Sequence, residues 1–448
     1  MKPVKFVIEQ GKQDLISHSG LAPVGLLLGK TRIAERVDKI YLAGRPRPAI
    51  SNGDVLKSMI ALMCMGKPDF DAIEAFREEP FFALALRIKQ TPSSPTMRQR
   101  LDEALGNFNE IILEESADMV KRHATEITPW HGKLVPLDLD LTALDNSGTQ
   151  KEGVSRTYQG LDGYGLSSAY LGKEGYLVHM RLQEGKQHCQ KDMDILLRQA
   201  IGYSRRITDA PLLARMDAGN DSLDNLKVCL KEKVHWLIKR NLRNEDPEEW
   251  IELAKKEGKI KQLKPGIYAY YGDIYVEREG IAKPLRIVYQ VIERRVDKHG
   301  NALLIWPCEV NTFWTSLRLA AATVVKLYHK HATCEQFHSE LKTDLYLERL
   351  PSGKFDTNAL VILCGLVAYN IMRLMGQASL RVDEDMPPQQ LAPIRKNTYR
   401  KRIRTVMQDL MFIASRLIYG SRRWGLSFGC NCPWFGTWQR IYEEFSSA

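Results

Sequence analysis

The chain has 448 residues, enough for about three domains at roughly 150 residues each. With 44% hydrophobic and 26% charged residues it has the make-up of a folded protein, which excludes a largely disordered chain, a collagen-like repeat and a small disulfide-stapled scaffold. Lys plus Arg total 64 against 54 Asp plus Glu, an excess of +10 that favours polyanionic partners, nucleic acid among them.

Residues 1–10 hold no apolar run of secretion-signal length, and the eight cysteines form no CxxC pair, so reduced thiols in a cytoplasm are expected. The first ~125 residues read as helical by apolar spacing. Ser51-Asn52-Gly53-Asp54 caps a helix over Val55–Met65, and Phe70–Phe76 starts another. Ser94 is expected to cap a helix with Pro95 at its first position, followed by an amphipathic helix over Glu103–Ala124. A helical bundle with DNA-contacting faces is expected, with a helix-turn-helix whose recognition helix begins at Pro95 as the alternative.

The period changes at Pro129. Leu134–Thr142 alternates as a strand, with Val135, Leu137, Leu139 and Leu141 on one face and Asp138, Asp140 and Thr142 on the other. Leu166–Leu171 and Tyr176–Leu182 flank a four-residue loop as a hairpin. A helix over Asp192–Tyr203, a strand over Pro211–Asp217, a helix over Ser222–Lys233 and a strand over His235–Lys239 follow, which predicts a mixed sheet with helices on its faces. Asn244–Gly258 is very polar. Strands are then expected at Gly266–Tyr271, Ile274–Arg278, Leu285–Arg294 and Leu303–Cys308, as a β-rich insertion. A long helix runs from near Leu317 to about Leu345. The apolar stretch Ala359–Met372 is too short for a membrane span and reads as a buried core helix. The tail carries six cations among residues 395–404, including Arg395, Lys396, Arg400, Lys401 and Arg402, and Val406–Tyr419 is expected to continue as a helix. That cluster reads equally as a DNA-binding surface or a solvated helix face.

Two carboxylates on one face of an apolar strand are costly when buried, because each is desolvated and they repel. A divalent cation relieves both problems; a solvated edge strand is the alternative. Asp217 ends a second apolar strand, where ligands gather in open α/β sheets, and Asp221 reads as a helix cap. Glu335 lies in a helix whose Tyr328, His331, Glu335 and Lys342 are spaced 3, 4 and 7 apart, so they share one stripe, joined by His338. Hard oxygen donors suit Mg²⁺ or Mn²⁺, and three carboxylates without clustered cysteines point away from zinc. Gln187-His188-Cys189 is a weaker metal alternative.

The strand with Asp140-Leu141-Thr142, the strand end at Asp217, and Tyr328, Glu335 and Lys342 at their spacings resemble DDE transposases of bacterial insertion sequences carrying a tyrosine-arginine-glutamate-lysine signature, the insertion-sequence-four and thirteen-eighty groups. His331 stands where that signature has arginine. The resemblance spans roughly residues 134–374. It implies an RNase H-like α/β core, with a helical DNA-binding region at 1–128, core segments at 129–239 and 315–380, the β-rich insertion at 240–314 and a basic helical region at 381–448.

It implies an enzyme that cleaves terminal inverted repeats and joins the ends to target DNA, with Asp140, Asp217 and Glu335 holding two Mg²⁺ ions (Mn²⁺ substituting) and Asp138 as the competing first ligand. Tyr328, His331, His338 and Lys342 would position phosphates, with Lys151, Arg156 and Lys186 as supporting cations. Trp306 or Trp314 would stabilise a flipped base. Double-stranded DNA, a homodimer in the synaptic complex, a bacterial cytoplasmic location and no membrane association are the partners and setting implied. A structure-selective nuclease and a non-catalytic DNA-binding regulator are the alternatives.

Overall fold

The computed structural model describes residues 3–42, 48–381 and 398–447. Two compact units are present: residues 101–370 form one, and residues 1–100 with 371–448 form the other.

The 101–370 unit starts with helix α1 (Asn109–His123), then strand β1 (Val135–Asp145), β2 (Asp162–Leu171) and β3 (Tyr176–Glu184). Helix α2 (Met193–Ile207), β4 (Leu212–Met216), α3 (Leu223–Lys231) and β5 (His235–Lys239) follow. The order across the sheet is β3-β2-β1-β4-β5. The first three strands pair antiparallel, whereas β4 and β5 lie parallel to β1. Parallel neighbours need a crossover, and α2 and α3 supply them. This is the RNase H-like arrangement that the resemblance implied.

The β2–β3 loop is the expected four-residue turn, since Leu171 pairs with Tyr176. Gly172 and Gly175 close it at φ +76° and +72°, the left-handed region that glycine enters without strain. Gly175 has a second reason to lack a side chain: a Cβ there would lie 2.3 Å from the Phe337 ring.

β1 is not an edge strand. It lies between β2 and β4, and Leu137, Asp138 and Leu139 are all buried, so the solvated-edge alternative for Asp138 fails. The polar stretch after β5 is helical: Asp246 caps α4 (Pro247–Glu257) by accepting from the Glu248 N–H at 2.9 Å, and Trp250, Ile251 and Ala254 anchor the helix. Beyond α4 come β6 (Lys259–Lys264), β7 (Ile267–Val276), β8 (Leu285–Arg294) and β9 (Cys308–Thr315). They extend the core sheet through β9, which pairs antiparallel with β5; with the two-residue strand Ser155–Arg156, paired to β2, the sheet has ten strands among the described residues. The two strands expected at 266–278 are one, β7. The strand expected at Leu303–Cys308 instead begins at Cys308, and Leu304, Ile305 and Trp306 lie exposed before it.

The long helix is built in pieces. Helix α5 (Ala321–His329) runs through a 3₁₀ turn, Lys330–Ala332, into α6 (Thr333–Ser339) and a π turn, Glu340–Asp344. Helix α7 (Phe355–Leu380) spans 26 residues, longer than the stretch read from composition and long enough to cross a bilayer; its apolar window is 94% buried inside the protein, the position of a core helix.

In the other unit, Ser51 caps the helix Asn52–Cys64 as expected, accepting from the Asp54 N–H at 3.1 Å. The next cap is Ser93 and not Ser94: the Thr96 N–H reaches Ser93 Oγ at 3.4 Å, while Ser94 Oγ donates to Asp71. The expected helix Val406–Tyr419 breaks. It becomes a short turn ending at Met411, followed by a hairpin, Ser415–Gly420 with Arg423–Phe428, and a closing helix, Phe435–Ser447.

Gly175→Ala tests the packing of β2–β3 against the α6 helix. Overpacking the Phe337 ring and straining the turn should cost about 1–3 kcal/mol in urea unfolding; an unchanged midpoint would show that the ring yields freely.

Candidate active site

In β1 and β4, parallel neighbours, Asp138 stands directly beside Arg215 and Leu139 beside Met216. One step further along both chains stand Asp140 and Asp217. The two strands therefore set an acid against a base within the ladder, and just beyond its end they bring a second acid, Asp217, into the same cleft as Asp140.

The first pair is closed. Arg215 and Asp138 are both buried. Arg215 Nε donates to Asp138 Oδ1 and Nη2 to Oδ2, each at 2.6 Å, and Nη1 donates to the Leu327 carbonyl at 2.7 Å. His331 Nδ1 lies 3.2 Å from Asp138 Oδ1. One guanidinium thus ties β1, β4 and α5 together. Burial raises the Asp138 pKa, but the charge of Arg215 and the hydrogen bonds from His331 and Arg215 outweigh it and hold the carboxyl below the usual range. Asp138 is thereby corrected as a competing metal ligand, because both its oxygens are engaged. Arg215 escaped sequence reasoning, although a lone cation inside Leu212-Leu213-Ala214-Arg215-Met216 is itself the signal of a buried acidic partner.

The second pair is open. Asp140 and Asp217 line one cleft of about 880 Å³ with Tyr328, His331, Glu335, His338 and Lys342. All five residues of the expected helix stripe reach the cleft although the helix is irregular. A 3₁₀ turn advances faster than an α-helix (about 3 residues per turn) and a π turn more slowly, so their phase errors oppose each other. Burial first, then repulsion by Asp217 and Asp138, pushes the Asp140 carboxyl up to about 6, against the opposing effects of His331 and of the Leu141 N–H that it accepts at 2.8 Å. Among the described residues no lysine or arginine ion pair reaches Asp140, Asp217 or Glu335. Asp217 Oδ1 accepts from Asn220 at 2.8 Å, and Glu335 is exposed to the cleft. Adjacent, uncompensated carboxylates with a third facing them fit a divalent cation.

The remaining expected residues divide. Burial and then the charges of Asp217 and Asp140 raise the Tyr328 phenol, so it stays protonated and can donate to an anion. Lys342 lines the cleft with its ammonium 3.5 Å from Glu348. His331 is buried against Asp138, so it presents no two-pronged phosphate donor of the kind arginine offers. Burial, Lys342 and His331 lower the His338 pKa to about 3, so His338 is a neutral ring 3.8 Å from Asp140 Oδ2 and no cationic clamp.

Trp314 is corrected as a base-stabilising residue. It is buried, its indole donates to Asp221 Oδ1 at 2.8 Å, and the Arg240 guanidinium covers its ring at 4.6 Å. Asp221 in turn is no helix cap, because Ser222 takes that role, accepting from the Asn225 N–H. Trp306 is about half exposed, with Arg295 over its ring at 4.4 Å. Lys401 is also corrected as a DNA contact: it is buried, its ammonium 3.0 Å from Asp409 and over the Trp434 ring. Arg400 is half-buried and Arg402 exposed, and Arg395 and Lys396 lie outside the described residues. Lys151 donates to the Leu350 carbonyl and Asn146, whereas Arg156 and Lys186 are exposed and pair with Asp162 and Glu184. Cys189 Sγ donates to the Gly219 carbonyl at 3.3 Å. Tyr158, which sequence reasoning missed, lines the cleft exposed, its hydroxyl donating to the Leu141 carbonyl at 2.9 Å.

The fold is a mixed sheet with helices on its faces, and one cleft of it gathers the acids Asp140, Asp217 and Glu335. Over residues 3–447 the chain matches the family model Transposase DDE domain group 1, and it belongs to that family. It is therefore a transposase of the DDE class, a DNA-cleaving enzyme family that uses divalent metal. Among solved structures it is similar to the piggyBac transposase synaptic complex with hairpin DNA, at TM-score 0.42 and 10% identity over 81% of this chain and 77% of that one. Comparison with curated proteins gives no match.

Three outcomes are expected. Arg215→Met alone should cost about 3–5 kcal/mol in denaturant unfolding, because it strands a buried carboxylate, and adding Asp138→Leu should recover most of it; no recovery would show that neighbouring groups and not the ion pair set the cost. Asp140 binds its proton more tightly in the folded state than in the unfolded chain, so the cation-free protein loses stability as pH rises from about 4 to about 6. Mn²⁺ must displace that proton below about pH 6, so affinity measured by calorimetry should rise with pH through this range and level off above it. A flat profile would remove Asp140 from the site.

Proposed function

We propose that this protein cleaves DNA at the terminal inverted repeats of an insertion sequence and joins the freed ends to target DNA. The observation that carries this is the gathering of Asp140, Asp217 and Glu335 in one cleft. These three carboxylates would hold two divalent cations, Mg²⁺ with Mn²⁺ substituting. Such ions, when bound, activate the attacking oxygen and stabilise the leaving one in phosphodiester displacement.

The chain's own groups supply the rest. Tyr328 keeps its proton and so donates a hydrogen bond to a phosphate oxygen. Lys342, oriented by Glu348, sets a positive charge on the same wall. The Arg215–Asp138 pair holds the two acid-bearing strands in register, so the carboxylates need no rearrangement to converge. The exposed ring of Trp306 is the remaining candidate for supporting an unstacked base. Double-stranded DNA, at the element's ends and at the target, is the partner in this reading. Action on two DNA ends as a homodimer in a bacterial cytoplasm, with the signature of the insertion-sequence-four and thirteen-eighty groups, completes the proposal.

Asp140→Asn, Asp217→Asn and Glu335→Gln should each abolish Mn²⁺-dependent cleavage of DNA carrying the gene's own flanks while end-binding persists in a gel-shift assay. Full cleavage by any of them would remove that carboxylate from the set. Cuts at junctions or flaps without joining would indicate a structure-selective nuclease. In the basic tail, neutralising Arg400 and Arg402 should reduce the slope of log affinity against log salt by about 2, since each phosphate contact contributes roughly 0.9. An unchanged slope would assign those cations to a solvated surface.

A further inference from the structure

We propose that His331 presents Nε2 to the cleft as a nitrogen ligand for a divalent cation, with Asp138 and Arg215 acting behind it as its holder. The proposal rests on the reading of Asp140, Asp217 and Glu335 as the cation site and adds a fourth donor of a different chemistry.

The argument starts from the ring's other nitrogen. His331 Nδ1 faces Asp138 Oδ1 at 3.2 Å, and that oxygen also accepts from Arg215 Nε at 2.6 Å. An ionised carboxylate only accepts, so Nδ1 carries the proton and donates it. In the neutral ring this leaves Nε2 as a bare lone pair. Nε2 lies on the far side of the ring from Asp138. It is buried and has no hydrogen-bond partner, in a side chain only 7% exposed that nonetheless lines the cleft. A buried acceptor without a protein partner calls for an explanation, and a bound cation is one that the neighbouring carboxylates also favour. Histidines that ligate metals commonly donate their other N–H to a carboxylate, which fixes the tautomer and raises basicity. Arg215–Asp138–His331 is such a chain, already assembled, and His331 stands one helical turn before Glu335.

One competing arrangement can be set aside. Asp138, His331 and Cys334 bring their ligand atoms within 4.8 Å of one another, the grouping that simple proximity picks out. Both Asp138 oxygens, however, serve Arg215, and burial pushes the Cys334 thiol well above its ordinary range, so that grouping offers hydrogen bonds and not ligands. The chemistry assigned to His331 also has a selectivity consequence: an imidazole nitrogen favours a transition cation such as Mn²⁺ over Mg²⁺.

The test uses the full chain loaded with Mn²⁺ and read by pulsed electron paramagnetic resonance. A ¹⁴N modulation on the Mn²⁺ signal that changes to the ¹⁵N pattern in protein grown with ¹⁵N-histidine is expected, and it needs no substitution. In His331→Gln and His331→Asn the coupling should vanish and Mn²⁺ affinity fall about tenfold or more, while His338→Gln keeps the coupling. Bound Mn²⁺ without histidine coupling in the wild type, or coupling that survives in the His331 variants, overturns the assignment while leaving the carboxylate site intact. Mn²⁺ affinity unchanged in Asp140→Asn shows instead that the cation sits elsewhere, which overturns the underlying reading together with this one.

Discussion

The bidentate contact between Arg215 and Asp138 sets the geometry on which the rest of the core depends. It is a cross-strand pair between parallel neighbours, made by residues 77 apart in the chain. A third N–H of the same guanidinium reaches the carbonyl of Leu327, on the helical run that carries Tyr328, His331 and Glu335. Every element that brings a carboxylate to the cleft is therefore tied to one buried cation. Buried ion pairs contribute little net stability when compared with apolar packing, so the value of this one lies in register. A one-residue slip of β4 against β1 would turn Arg215 to the opposite face, strand Asp138, and separate Asp217 from Asp140.

The electrostatic design of the cleft follows from that register. Two residues beyond a satisfied pair comes an unsatisfied one, and the contrast is built from the same strands with the same alternation. Asp138 is held ionised by its partners, whereas Asp140 is pushed toward its neutral form by burial and by Asp217. On the helix, Tyr328 retains its proton and His338 does not gain one. The permanent positive charges close to the carboxylates are thus few, which leaves the neutralisation of the acids to cations that bind there.

The sheet beyond β5 shows how the same site tolerates a large addition. Strands β6 to β9 continue the sheet on the side away from β1, joined by the β5–β9 ladder. Trp314 and Asp221 pin the junction, with the indole N–H on one carboxylate oxygen and the Asn241 N–H on the other. That task accounts for the burial of a tryptophan that otherwise looks available for stacking.

Much of the molecule was legible in the primary structure because it is written in local periodicity. Period-two alternation marked β1 to within a few residues, β5 and β8 were read at their observed bounds, and the 3-4-7 spacing placed Tyr328, His331, Glu335 and Lys342 on one wall even though 3₁₀ and π turns interrupt the helix. Asp217 was recognisable from its place at a strand end and Glu335 from that stripe, whereas Asp140 shared a strand face with Asp138 and was picked out by the family resemblance. What the sequence alone determined, then, is which residues share a face and which strands end in a carboxylate. What only the tertiary structure decided is who stands opposite each of them: that Asp138 belongs to Arg215 and Asp140 does not, that His331 turns its Nδ1 inward, and that Lys401 and Trp314 are buried while Arg402 and Trp306 are not. The reason is physical. Periodicity records the orientation of a side chain relative to its own backbone, whereas partnership is set by register between segments that are distant in the chain and is fixed only when the sheet closes.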